Sequence, residues 1–214
     1  TTLAAIVNHR NQNSEDHILT IEDPIEFSHK NLNSIVNQRE VGVDTRSYAN
    51  ALKASLREAP DVILVGEIRV RETMEAALEL SNTGHLALST LHANNAGQAI
   101  ERIINMFPQS MHQQLLMDLS LNVRGIISQR LVTAKDGKRC AALEILVMTP
   151  HIQDLILKGD IEEIKIAMEE SGKKGMQTFD TALHNLYKEG RIELEEALNN
   201  ASSRTNLEAK INFG

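Results

Sequence analysis

The segment that most constrains the fold is Asp61-Val62-Ile63-Leu64-Val65-Gly66-Glu67. Its four apolar residues do not alternate with polar ones. It therefore reads as a strand buried on both faces of a parallel sheet, entered after Pro60 and left at Gly66-Glu67. Two further strands are expected, at His17–Ile21 and His85–Leu91. The first stops at Glu22-Asp23-Pro24, because proline cannot continue a ladder. Helical spacing fills the intervals: an apolar tail at 1–10, then 47–58 with Asp44 and Thr45 as capping candidates, 73–82 stopped by Gly84, 96–106, and 110–129 beyond Pro108. Strands alternating with helices predict an α/β fold, a parallel sheet wrapped by helices.

The second half changes character. Arg130–Ala134 and Arg139–Met148 read as a β-hairpin turning at Asp136-Gly137. After Pro150 the pattern is helical throughout, over 151–158, 161–170, 176–189, 193–200 and 204–211, with Gly159, Gly172, Gly175 and Gly190 as punctuation. The expected organisation is a core over 1–149 and an all-helical C-terminal subdomain over 150–214.

Composition removes several function classes. The 214 residues carry a net charge of −7, 3 % aromatic residues and no Trp. A general nucleic-acid surface needs excess Lys/Arg and stacking platforms, so neither is expected. No apolar run approaches the ~20 residues of a transmembrane helix. The single cysteine, Cys140, excludes an internal disulfide and a Cys-rich zinc site, and a reducing cytoplasmic compartment is the simplest reading.

A carboxylate delivered by a buried parallel strand at its C-terminal end is the Walker B design, which places Glu67 where it can polarise water or approach Mg²⁺ beside a γ-phosphate. Gly66 stands where many NTPases have Asp, so direct metal ligation by that Asp is absent. The plainer alternative is a core strand with an ordinary terminal Glu. Glu22, Asp23 and Glu26 follow the earlier strand. If both strands share a sheet, these carboxylates and Glu67 share one edge and can supply a general base and a metal or water anchor; a polar turn held by Pro24 is the alternative. His85 and His92 flank Leu86–Leu91 at an odd separation, on opposite strand faces, which argues against a shared metal site. Ser89, Thr90 and His92 are candidates for nucleotide sensing at the same edge, and His85 alternatively is a strand-entry residue. Neither Gly137-Lys138 nor Gly172-Lys173 has a P-loop frame, and Ser171–Gly175 reads as an interhelical loop. Thr1-Thr2-Leu3-Ala4-Ala5-Ile6 resembles the first turn of the helix that follows a P-loop. The expectation is a chain cut just after its phosphate cradle, binding ATP weakly or not at all by itself.

Four ordered boxes resemble the type IV pilus retraction ATPases, PilT and PilU, of the secretion-ATPase superfamily. Ile18–Phe27 is similar to the family's Asp box, Gln38–Gly42 with Asp44-Thr45 to its next signature, Pro60–Arg69 to its Walker B, and Thr83–Leu86 with Leu91–Asn94 to its His box; Gln129-Arg130-Leu131 follows in order. His92–Ala96, Leu115–Asn122 and Gly175–Asp180 lean towards PilU. The resemblance implies a RecA-like P-loop NTPase core and ATP hydrolysis with Mg²⁺ by a homo-hexameric ring. That ring would work with a PilT-like ATPase and an inner-membrane pilus platform protein, on the cytoplasmic side of that membrane, driving twitching motility. Residue by residue it implies Glu26 as a catalytic base for the attacking water and Glu67 as the Walker B glutamate. It makes His85 and His92 the pair linking nucleotide state to domain movement and Glu22 and Asp23 shapers of the Asp-box loop, and it counts these four with Gly66 as nucleotide-binding or sensing residues. Arg39, Arg57 and Arg102 are candidates for an arginine acting across subunits. Val70 replaces the family's usual Asp, removing one carboxylate. Two alternatives accompany this reading: a non-hydrolysing ring subunit docked on a PilT-like motor, and a secretion-system ATPase. The tetracysteine zinc insertion usual in extension and secretion members is excluded by the lone cysteine.

Overall fold

A computed structural model describes residues 2–171 and 175–213. The Gly172-Lys173 pair, and with it most of the expected loop at 171–175, lies outside the described residues. So does Thr1 of the expected post-cradle turn. The chain forms two compact units, Thr1–His92 with Met106–Pro108, and Ala93–Asn105 with Gln109–Gly214. This division by packing is a different cut from the functional boundary expected at Thr149–Pro150. Among the described residues no helix is long and apolar enough to cross a membrane.

The first unit runs α1 (Thr2–Asn13), β1 (His17–Glu22), β2 (Ile35–Glu40), α2 (Tyr48–Ser55), β3 (Val62–Val65), α3 (Arg71–Asn82) and β4 (Leu86–Ser89). The four strands are all parallel, in the order β2-β1-β3-β4. The two central strands are sealed: Ile18, Leu19, Ile21 and Val62–Val65 are buried, as an apolar run with a helix-covered sheet on both sides demands. β4 is shorter than expected and only half-buried, because it pairs on one side alone.

Strand β2 is not foreseen by the sequence analysis. Its residues Ile-Val-Asn-Gln-Arg-Glu carry too little apolar pattern, and no helix separates it from β1. The residues between the two strands cross over without regular structure, and the buried Asn11 at the end of α1 fastens them. Its amide donates to Lys30 O at 2.7 Å, and its Oδ1 accepts from Leu32 N at 3.1 Å. Its own carbonyl accepts from Asn33 N and Ser34 N. A side chain thus does the work a crossover helix usually does. The cap of α2 also differs from expectation. Ser47 is the N-cap, accepting from Asn50 N, while Asp44 accepts from Glu40 N at 2.8 Å and so closes the turn after β2. Gly84, at φ +95°, stops α3 as expected.

The second unit contains α4 (Ala96–Asn105), α5 (His112–Asn122), β5 (Gly125–Thr133), β6 (Arg139–Val147), α6 (Pro150–Lys158), α7 (Ile164–Glu170), α8 (Phe179–Lys188), α9 (Leu194–Asn200) and α10 (Arg204–Phe213). The helix expected through Gln129 ends at Asn122, and β5 takes over at Gly125. A Cβ at Gly125 would stand 2.9 Å from Leu146 O, so only glycine admits the hairpin pairing there. The turn is the one expected, with Gly137 at φ +79° and Asp136 accepting from Lys138 N. Gln177 pairs with Ile145 through both backbone groups, which delays α8 until Thr178 caps it. Val132, Phe179, Leu183, Ile192 and Leu198 form the core of this unit, and the Arg130 guanidinium stacks 4.1 Å above the Phe179 ring.

Glu144 is buried on β6, where its Oε1 accepts from Ala96 N at 2.8 Å at the start of α4. Burial pushes its carboxyl above the usual carboxylate range, against the Ala96 bond and the attraction of Arg130 and Lys165.

Two outcomes are expected. Asn11→Ala removes both hydrogen bonds from its buried amide to the crossover and should cost about 1–3 kcal/mol of stability by urea denaturation. For Glu144 the folded pKa lies above the unfolded one. Its contribution to stability is full below the unfolded pKa and is lost as pH rises through the folded value. Glu144→Gln removes that loss. The stability of the variant relative to the parent should rise between pH 4 and pH 7, read as urea midpoints at both.

Candidate active site

Parallel pairing places Ile21 opposite Val65, so β1 and β3 deliver Glu22 and Gly66-Glu67 to one edge of the sheet. Gly66 N donates to Ile21 O at 2.8 Å, extending the ladder past the last strand residue. The end of β4 is joined to the same place, since Thr90 Oγ1 donates to Gly66 O at 2.6 Å and Ile68 N to Thr90 O at 3.0 Å.

Glu67 is clamped between two basic groups. Arg69 Nη2 donates to its Oε2 at 2.6 Å, and His92 Nε2 lies 2.8 Å from its Oε1. The Glu67 side chain is 19 % exposed, whereas Arg69 and His92 are 73 % and 75 % exposed. A largely buried carboxylate is thus held by a guanidinium and an imidazole that reach in from solvent. The bond from Arg69 to Glu67 holds the guanidinium still more firmly charged.

Glu22 faces the other way along the edge. Its Oε1 accepts from Thr20 Oγ1 at 2.6 Å and from Gln38 Nε2 at 3.1 Å. Gln38, on β2, also donates to Phe27 O and accepts from His29 N, while Glu40 accepts from Ile25 N. Two side chains, Gln38 and Glu40, therefore fix the loop that carries Asp23, the cis Asp23–Pro24 bond and Glu26. Glu26 itself is exposed, with no hydrogen bond or ion pair among the described residues, so its carboxylate is open to a ligand.

The two histidines part company. His92 joins Glu67, but His85 lies at the opposite, amino edge of the sheet. There its Nδ1 is 3.0 Å from Thr83 Oγ1 and 3.1 Å from Leu80 O at the end of α3. Arg39 is paired with Glu58 at 2.6 Å, Arg57 is exposed beyond α2, and Arg102 lies on α4 in the second unit. Among the described residues no group of three or more His, Cys, Asp or Glu could hold a metal ion alone.

Two residues of this edge escaped the sequence analysis as site residues. Arg69 sits two positions past Glu67, and a basic residue that close to a strand-end carboxylate was the signal available. Tyr48 had no signal. It opens α2, and its hydroxyl lies 3.2 Å from where a Cβ on Gly66 would stand. Burial raises its pKa, and the carboxylates of Asp23, Glu67 and Glu22 add to the rise while Arg69 opposes it.

Comparison with known proteins bears on this edge. The family model described as Type II/IV secretion system protein matches residues 1–207. The chain belongs to that family. It is 54 % identical, over all of its length, to the type IV pilus ATPase PilU of Pseudomonas aeruginosa. Identity to the PilT of the same organism is 42 % over 97 % of the chain, so the likeness to PilU is the greater. Among solved structures, the pilus retraction motor PilT with bound ADP superposes with a TM-score of 0.90 at 45 % identity, over 97 % of this chain and 59 % of that one. The Legionella pneumophila ATPase DotB follows at 0.82 and 29 % identity, over 92 % and 55 %. The α/β fold with a parallel sheet is therefore that of the retraction motors. The chain spans 56 % of the PilU relative's length.

The packing around Gly66 generates a prediction. An added Cβ would lie 3.3 Å from Ile21 O and 3.4 Å from Glu22 Cα, both backbone atoms of a sealed central strand that cannot retreat. At Gly97 in α4 the nearest atoms are 3.5 Å or more away. Gly66→Ala should destabilise by about 1–3 kcal/mol, while Gly97→Ala should be neutral or stabilise by up to about 1 kcal/mol, both measured by thermal unfolding.

Proposed function

We propose that these residues belong to the motor subunit of a PilU-like type IV pilus retraction ATPase. Such a subunit would hydrolyse ATP in a homo-hexameric ring on the cytoplasmic side of the inner membrane, beside a PilT-like ATPase and the pilus platform protein. The observation that carries this reading is the clamped Glu67 at the carboxyl end of a buried strand, in the fold of a motor solved with ADP. In open α/β sheets ligands bind outside that edge.

In hydrolysis the water oxygen bonds to the γ-phosphorus, the bridging bond to the β-phosphate breaks, ADP leaves with the electron pair, and a water proton must be accepted. Glu26, exposed and unpaired among the described residues, is the base proposed to take it. Glu67 polarises the water from below. Arg69 offsets the negative charge of Glu67, so the edge does not simply repel a triphosphate. The carboxylates are hard oxygen donors suited to Mg²⁺, which is usually held by one or two carboxylates together with substrate phosphates rather than by a protein cage. Glu67 and Asp23 are the groups proposed to serve it, and the ion would neutralise charge on the phosphates. His92 reports on Glu67 from the end of β4, and His85 anchors the start of the same strand, the pair we propose for coupling nucleotide state to movement.

The test is ATP turnover by the complete protein. Glu67→Gln should lower kcat by about two orders of magnitude or more. Unchanged hydrolysis in the variant would overturn the motor reading. A parent protein without turnover would leave the accessory ring subunit in its place.

A further inference from the structure

The polar groups at the carboxyl edge are almost all partnered. Glu22 is held by Thr20 and Gln38, Glu67 by Arg69 and His92, and Thr90 by the Gly66 carbonyl. Tyr48, like the exposed Glu26, is not. Among the described residues its hydroxyl makes no hydrogen bond, although the ring is half-buried. A half-buried phenol ordinarily finds a partner.

Its placement is fixed by the chain around it. Ser47 caps α2 through Asn50 N, and Thr45 Oγ1 donates to Ser47 O at 3.2 Å, so the first turn of the helix has one position. The missing side chain of Gly66 is what lets the hydroxyl come so close. The point 3.2 Å from it is also 3.3 Å from Ile21 O and 3.4 Å from Glu22 Cα, the junction between the ends of β1 and β3. The hydroxyl therefore stands over the junction that presents Glu22 and Glu67, within the field of Asp23, Glu67, Glu22 and Arg69.

We infer that Tyr48 is a further catalytic residue, its hydroxyl donating a hydrogen bond to the water that attacks the γ-phosphoryl group. This rests on the hydrolytic reading above. Among the groups at this junction Glu22, Asp23 and Glu67 can only accept when ionised, and Arg69 and His92 are engaged with Glu67, so the Tyr48 hydroxyl is the donor placed to orient a water there. Burial and then the carboxylates raise the phenol above its ordinary range, so Tyr48 stays protonated, orients the water and accepts no proton from it. The proton goes to the carboxylate base.

The experiment compares the complete parent protein with Tyr48→Phe and Glu67→Gln, measuring kcat, KM for ATP and the thermal midpoint. A single neutral hydrogen bond corresponds to a fall in kcat of about three- to tenfold. The expected result for Tyr48→Phe is that fall, with KM and the midpoint unchanged, since the hydroxyl has no bond to lose in the folded protein. An unchanged kcat, or a fall matched by a lowered midpoint or a raised KM, overturns the inference and marks Tyr48 as a packing or binding residue. If Glu67→Gln abolishes turnover while Tyr48→Phe does not alter it, the inference fails and the hydrolytic reading stands. If the parent itself has no turnover, both fail.

Discussion

Everything at the candidate site depends on the parallel pairing of β1 with β3. Both strands are sealed on both faces, with Ile18, Leu19 and Ile21 packed beside Val62–Val65. Fully burying one such side chain contributes on the order of 1.5–3 kcal/mol. A slip of register by one residue would turn these side chains to the other face and move Glu22 away from the level of Gly66. The pairing therefore sets the fold and the position of the carboxylates together. That is why polar chemistry can sit at the end of strands containing almost no polar atoms: the apolar run fixes the backbone, and the first residues beyond it inherit its rigidity.

The electrostatics of the edge follow from that rigidity. A carboxylate as little exposed as Glu67 is costly unless paired, and here two separate segments pair it: the loop after β3 through Arg69 and the loop after β4 through His92. Val70 matters in this setting. It leaves the loop after β3 with one carboxylate fewer than the family's usual Asp would give. Arg69, next to it, is ion-paired with Glu67 at 2.6 Å.

Much of this was legible in the residues. The run at 62–65 identifies the buried parallel strand, Pro24 marks the end of β1, Asp136-Gly137 marks the hairpin, and the order of the boxes points to the retraction motors. What was not legible has physical causes. β2 is half polar and reaches its place through a crossover pinned by Asn11, a tertiary contact that no local pattern encodes. The start of β5 was read as helix because Ile126 and Ile127 continue an apolar pattern, and the pairing that makes them a strand comes from β6. Tyr48 enters the site only because α2 packs its first turn over Gly66, so its role follows from a missing Cβ elsewhere in the chain. Local periodicity finds strands and helices; it does not find the side chains that a neighbouring element brings to their ends.

The position of His85 gives the edge a longer reach than its own residues. α3 begins just beyond Arg69 and ends where Leu80 O and Thr83 Oγ1 meet the His85 ring. β4 then runs from His85 back to the carboxyl edge, where His92 closes on Glu67. The segment that leaves Glu67 through Arg69 thus returns to it through His92, passing over one helix and one strand on the way. Both ends of this segment are held by the same carboxylate, each by one contact to a different oxygen. A ligand that competes for Glu67 and displaces one of these contacts releases one end of α3–β4 while the other stays anchored. The two histidines therefore need not share a metal or a face to act together, because a four-residue strand, paired to β3 along its length, already connects them.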